Sequence, residues 1–66
     1  MKLRLNGEDR EIPTVATLAD LLAHLKLAPG RLACEVNGAV VRRADYAAAA
    51  LREGDQIEIV QMIGGG

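Results

Sequence analysis

Aromatic side chains are almost missing from this 66-residue sequence: Tyr46 stands alone, with no Phe and no Trp. Any core must therefore be aliphatic. Cysteine is nearly missing too, and the lone Cys34 excludes an internal disulfide framework and any multi-cysteine metal or iron–sulfur site. No metal centre is expected. Neither sign of charge dominates: 8 Lys and Arg stand against 9 Asp and Glu, for a net charge of -1. The basic residues are dispersed and form no stripe, which argues against a nucleic-acid partner. No stretch approaches the ~20 apolar residues of a membrane span, so none is expected. The opening Met1-Lys2-Leu3-Arg4-Leu5-Asn6-Gly7 has no apolar h-region. A signal peptide is thus not expected, and a soluble, cytoplasmic protein is.

What is present suits one small domain. Half of the residues are apolar, enough for a core near the lower size at which one is stable unaided. There is no internal repeat, no linker and no sign of a second domain. Met1, Leu3 and Leu5 alternate with Lys2 and Arg4, which predicts a half-buried strand. Asn6-Gly7-Glu8-Asp9 is a turn signal. A short antiparallel return from about Arg10 to Ile12 is limited by Pro13, which cannot donate to a ladder.

A helix is predicted over Thr17 to Leu27. Thr17 can cap it, with Asp20 in the place of the capping-box acid. Leu18, Leu21, Leu22 and Leu25 fall on one helical face, and Pro29-Gly30 closes the segment. Leu32, Cys34 and Val36 then alternate as a third strand. Asn37-Gly38 predicts a tight hairpin, and Ala39 to Arg42 forms its return. Ala44 to Leu51, rich in alanine, reads as a short helical turn or irregular connection. Gly54-Asp55 is a turn, and Gln56 to about Met62 a last strand with Ile57 and Ile59 inward. The leucine stripe needs a sheet to cover it. A last strand lying parallel beside the first gives a mixed sheet of about five strands curled over one main helix, the α+β, ubiquitin-like β-grasp arrangement. Residues 1–63 are expected to form this domain and residues 64–66 a flexible tail.

Gly64, Gly65 and Gly66 add no side chain to a core and lose much entropy if ordered. Their use is reach and slenderness: a glycine thread can enter a narrow cleft and present a main-chain carboxylate to another protein's active site. The competing reading is a disordered end or a remnant of cloning. The glycines continue a coherent strand without the Ser or tag of a linker scar, which favours function. Val60 and Met62 fall on the face opposite Ile57 and Ile59 and lead, with Ile63, to the glycines. They are expected to be exposed and to contact a partner, unless a loop covers them.

Several of these segments resemble one family. Glu35-Val36-Asn37-Gly38-Ala39-Val40-Val41-Arg42-Arg43 resembles the V-N-G-x-x-V-P-R segment of ThiS, the sulfur carriers of thiamin biosynthesis. The Asp45-Tyr46 step followed by Leu51-Arg52-Glu53-Gly54-Asp55-Gln56-Ile57-Glu58-Ile59-Val60 resembles the family's L-x-x-G-D-x-I-x-I-V, and Met62-Ile63-Gly64-Gly65-Gly66 fits its terminal glycines. Arg42 departs from the pattern, where proline is usual. The resemblance implies a protein cosubstrate, not an enzyme. It implies that the Gly66 carboxylate is adenylated at the expense of ATP by an E1-like, ThiF-type adenylyltransferase. A persulfide donor then converts it to a thiocarboxylate, which a ThiG-type thiazole synthase consumes. Gly64 and Gly65 give the access this needs, and no bound cofactor is implied.

The remaining polar residues have plain readings. Cys34 reads as a packing cysteine, His24 as a solvated surface residue, and Tyr46 as a packing residue closing a loop over the core. Glu8, Asp9 and Glu11 form a solvated hairpin end, and Arg42 and Arg43 are surface charges. Other functions share the pattern: the small subunit of molybdopterin synthase, a sulfur carrier of another pathway, a ubiquitin-like modifier joined to lysines, or a plain interaction module. The molybdopterin subunit typically runs longer and reaches its glycines through a proline-containing segment, whereas Gln61-Met62-Ile63 has none.

Overall fold

Two Asn-Gly pairs turn the chain back on itself. The φ angles are +50° and +82° at Asn6 and Gly7, and +52° and +84° at Asn37 and Gly38. Two successive left-handed residues make the tight turn whose twist matches a hairpin, and Asn followed by Gly tolerates that geometry best. In this computed structural model, which describes residues 1–62, the first pair joins β1 (Lys2–Leu5) to β2 (Glu8–Glu11). The second joins β3 (Leu32–Val36) to β4 (Ala39–Val41). Between the hairpins lies the helix α1 (Leu18–His24), and β5 (Gln56–Gln61) closes the fold.

The sheet order is β2-β1-β5-β3-β4. β5 lies in the middle, parallel to β1 and antiparallel to β3, so the hairpins form the two flanks of a mixed β-grasp sheet, as expected. Leu3, Leu5, Leu32, Cys34, Ile57 and Ile59 line the inner face, and Leu18, Leu21 and Leu22 of α1 pack on them. Each fully buried leucine contributes about 1.5–3 kcal/mol. Ile12, Tyr46 and Leu51 close the rim of this core, while Leu25 is only partly buried.

Both ends of α1 depend on more than propensity. The Thr17–Asp20 capping box forms, with 3.2 Å hydrogen bonds in both directions. The N–H groups of Leu18 and Ala19 have no acceptor inside the helix. They donate to the carbonyls of Ala49 and Tyr46 at 2.9 and 3.0 Å. The alanine-rich connection, a 3₁₀ turn at Arg43–Asp45 followed by further turns, thus covers the helix N-terminus.

The helix stops earlier than predicted, at His24 and not near Leu27. Leu27 donates to the Leu22 carbonyl at 2.9 Å and Lys26 to that of Ala23 at 3.1 Å. This is a Schellman ending, with Lys26 at φ +60° in the place usually held by glycine. The stop is invisible in the sequence because lysine is a good helix former. The second strand also begins earlier than predicted, at Glu8 and not near Arg10, because the two-residue turn starts the pairing at Leu5 with Glu8.

Candidate functional site: the central strand and the outer face of the sheet

β5 carries the chain toward residues 63–66, and four groups of contacts hold it. Its even-numbered residues pair with β3 through the register Ala33 with Val60 and Glu35 with Glu58. The Met62 N–H extends this pairing by donating to the Arg31 carbonyl at 2.9 Å. On the other side, β1 pairs only with Gln56 and Ile57. There Asn6 takes over: its N–H donates to the Ile57 carbonyl at 2.9 Å. Its side-chain oxygen then accepts from the Ile59 N–H at 2.8 Å, and its side-chain NH₂ donates to the Ile59 carbonyl at 3.2 Å. The amide of Asn6 occupies the position of the next strand residue.

Asn37 grips the beginning of β5 in a related way. Its N–H donates to the Gln56 carbonyl at 2.7 Å, and its side-chain oxygen accepts from the Gln56 N–H at 2.9 Å. Its NH₂ donates at 3.0 Å to Asp55, whose other carboxylate oxygen accepts from the Arg52 N–H at 2.8 Å. The Asn37-Gly38 and Gly54-Asp55 segments therefore meet in one hydrogen-bonded corner. Their chemistry is to fix the strand. Sequence reading identified both turns but not that both asparagine side chains hold β5.

The face of the sheet away from α1 is open. Val60 and Met62 are exposed, at 60% and 52%, as predicted. Val40, which sequence reading did not single out, is exposed to 74%. It lies opposite Glu35, which points away from the core side occupied by Cys34, so it shares the outer face with Val60. The alternation in Ala39-Val40-Val41 could have shown this once β3 was in place. Ala33, opposite Val60, is exposed on the same face. At the exit of α1 a groove of about 500 Å³ opens between Leu25 and Leu27 on one side and Leu5 and Ile59 on the other, with Arg10 and Gln61 at its rim.

Cys34 is buried and has no free access. Tyr46 is buried and donates to the Leu32 carbonyl at 3.3 Å. Burial, and then the neighbouring Cys34, push its phenol up to about 12. His24 is exposed at the end of α1, and Arg42 and Arg43 are exposed beyond β4. In the acidic hairpin end, Asp9 meets Arg4 at 3.3 Å, an exposed pair worth little. Among the described residues no group of three or more His, Cys, Asp or Glu is arranged to hold a metal ion, and no helix is long and apolar enough to cross a membrane. Ile63, Gly64, Gly65 and Gly66, to which partner contact, access and reactivity were assigned, lie outside the described residues, as does the boundary between domain and tail.

Comparison with known proteins gives a consistent pattern. The model of the ThiS family matches residues 3–66. The crystal structure of the thiamine biosynthesis protein ThiS from Geobacter metallireducens superposes with a TM-score of 0.84 at 30% identity, covering all of both chains. A solution structure of a thiamine biosynthesis protein from the same organism gives the same score and identity, covering this whole chain and 88% of the other. Two curated relatives named thiazole synthase are 50% identical in Magnetococcus marinus and 41% identical in Paramagnetospirillum magneticum, each over all 66 residues. The chain spans only 20% of the length of either.

Proposed function

Since this chain belongs to the ThiS family, we propose that it is a sulfur carrier of thiamin biosynthesis whose reacting group is the main-chain carboxylate of Gly66. The observation that carries the proposal is the family match, which runs from the first strand through the glycines. The β-grasp body is proposed to dock the partner, and residues 64–66 to be the segment that enters the partner's cleft. The protein acts as a cosubstrate in the cytoplasm, and ATP is consumed by its activating enzyme.

A carboxylate is a poor electrophile. In the first step an oxygen of Gly66 attacks the α-phosphorus of ATP on a ThiF-type adenylyltransferase, and pyrophosphate leaves. The mixed anhydride now has AMP as a good leaving group. The terminal sulfur of a persulfide donor attacks the acyl carbon and displaces AMP, forming an acyl disulfide. A thiol then attacks the outer sulfur, supplying two electrons, and leaves a thiocarboxylate on Gly66. That sulfur is a stronger nucleophile than carboxylate oxygen, yet it stays tethered and is not lost as sulfide. A thiazole synthase is the proposed consumer, which the two relatives bearing that name support.

Glycine at 65 and 66 suits this chemistry because a Cβ beside the acyl carbon would crowd both the nucleotide and the incoming sulfur. Ordering the thread in a cleft costs about 1–2 kcal/mol per residue in backbone entropy. Contacts with the folded body must offset it, and the exposed Val60 and Met62, continued by Ile63, are the proposed contacts.

The test is intact mass spectrometry after incubation with ATP, a ThiF-type enzyme and a sulfur source. The expected result is the mass gained when one oxygen is replaced by sulfur, at the C-terminus of a chain ending in Gly66. Deleting Gly66 moves the carboxylate by one residue and should slow the reaction by about 100-fold or more, since a displacement of ~1 Å already costs that much. Val60→Glu should weaken binding to the enzyme and leave the melting temperature nearly unchanged. Equal rates for the deletion and the full chain, or loss of modification in a folded Cys34→Ala variant, would overturn the mechanism. Attachment to lysines in place of thiocarboxylate formation would assign the protein to the ubiquitin-like modifiers.

A further inference from the structure

The open face of the sheet sets two carboxylates against each other at its centre. Glu35 of β3 and Glu58 of β5 are directly opposed in the antiparallel register. Such a pairing brings the Cβ atoms to about 4.5–5.5 Å, and like charges so placed destabilise a sheet. No described cation pairs with either glutamate, including Arg42, which lies two residues beyond Val40 on the same face. On its other side Glu35 faces Val40. The residue of the first hairpin beside this part of β5 is Asn6, whose amide is engaged by Ile59. The nearest cation of β1, Arg4, is taken by Asp9. Among the described residues neither glutamate makes an ion pair or a side-chain hydrogen bond; the two ion pairs there are those of Asp9 and Glu11.

The free domain gains nothing from this arrangement. A complex does, because Val40 and Val60 stand beside the glutamates. A partner that covers these valines with aliphatic groups excludes water from the carboxylates and strengthens any attraction to a cation set between them. One guanidinium or ammonium can donate to both carboxylates and convert their mutual repulsion into two charge-assisted hydrogen bonds. We propose that this face docks the enzyme that activates Gly66, and that the enzyme places an arginine or lysine between Glu35 and Glu58 within an apolar surround. The proposal rests on the sulfur-carrier function given above and adds to it the recognition chemistry of the partner.

The test compares the parent with Glu35→Gln/Glu58→Gln, using the full chain and a ThiF-type adenylating enzyme, with thiocarboxylate formation followed by mass at two ionic strengths. The double variant should melt at or above the parent temperature, since the repulsion is gone. KM for the carrier should rise about tenfold at low salt, with kcat within about twofold, because buried charge pairs at interfaces act on binding and encounter. The rise should shrink at high salt. Glu35→Lys/Glu58→Lys should raise KM further, and reversing one basic residue of the enzyme should restore part of the loss. An unchanged KM in the double variant, with the parent modified normally, overturns the docking proposal alone. A double variant that melts well below the parent assigns the glutamates a structural role and also overturns it. A parent that is never modified overturns the carrier function, and this proposal with it.

Discussion

Replacing Asn6 by glycine isolates one device on which β5 depends. The substitution keeps the left-handed backbone, since φ at Asn6 is +50° and glycine adopts such angles freely. It removes the side-chain amide and its two hydrogen bonds to the Ile59 backbone, at 2.8 and 3.2 Å. Each such bond contributes about 0.5–1.5 kcal/mol net, so the loss should be about 1–3 kcal/mol. For a domain of this size that corresponds to a fall in melting temperature of roughly 5–20 °C. Asn6→Ala should lose the same bonds and, relative to the glycine variant, also meet the left-handed penalty of roughly 1–2 kcal/mol, which asparagine tolerates better than alanine. Urea unfolding of the three proteins gives both quantities. Amide hydrogen exchange locates them: Ile59 should lose protection first, while the Val60 and Glu58 amides keep their pairing with β3. A stability change below about 0.5 kcal/mol for Asn6→Gly, or equal protection of Ile59 in the parent and variant, would refute the idea that this side chain stands in for a strand residue.

Two further outcomes follow from the geometry. Lys26 sits at φ +60° in the Schellman ending of α1, so Lys26→Gly should stabilise the fold by about 1 kcal/mol and Lys26→Ala should not; thermal melting in which glycine and alanine behave alike would contradict the assigned ending. The phenol of Tyr46 is raised from 10.0 to about 12 by burial and then by Cys34. The folded state thus favours the neutral form. Its contribution is complete below pH 10 and disappears as pH rises toward 12. Phenolate absorbance should appear only near pH 12 in the folded protein, and Tyr46→Phe should remove this part of the alkaline loss. Titration of the folded protein near pH 10 would show the ring to be solvated.

Several elements were legible in the sequence because their causes are local. Alternation at Met1-Leu3-Leu5, Leu32-Cys34-Val36 and Ile57-Ile59 follows from the two-residue strand period. The Leu18-Leu21-Leu22 stripe follows from the helical one, and the two Asn-Gly turns follow from backbone sterics. With one leucine stripe to cover and two hairpins to place, few arrangements other than a curled mixed sheet remain. The candidate site was legible in the same measure. Val60 and Met62 could be put on the open face because alternation opposes them to Ile57 and Ile59.

What tertiary structure alone decided are the juxtapositions between distant segments. The meeting of Glu35 with Glu58 depends on the register of β3 against β5, and sliding that register would change the partner. Val40 joined the exposed face through its pairing opposite Glu35. The alanine-rich segment has no periodic signal, and its role appears only where its carbonyls accept the free N–H groups of α1. Asn6 and Asn37 read as turn residues from sequence. Their side chains became clamps because a neighbouring strand stops short of β5: β1 ends at Leu5, where Asn6 takes over beside Ile59, and β3 ends at Val36, where Asn37 takes over beside Gln56, so each amide meets backbone groups left without a strand partner. Propensity and period act within a few residues along the chain, whereas these pairings answer to hydrogen-bond demands that exist only once separate strands lie side by side.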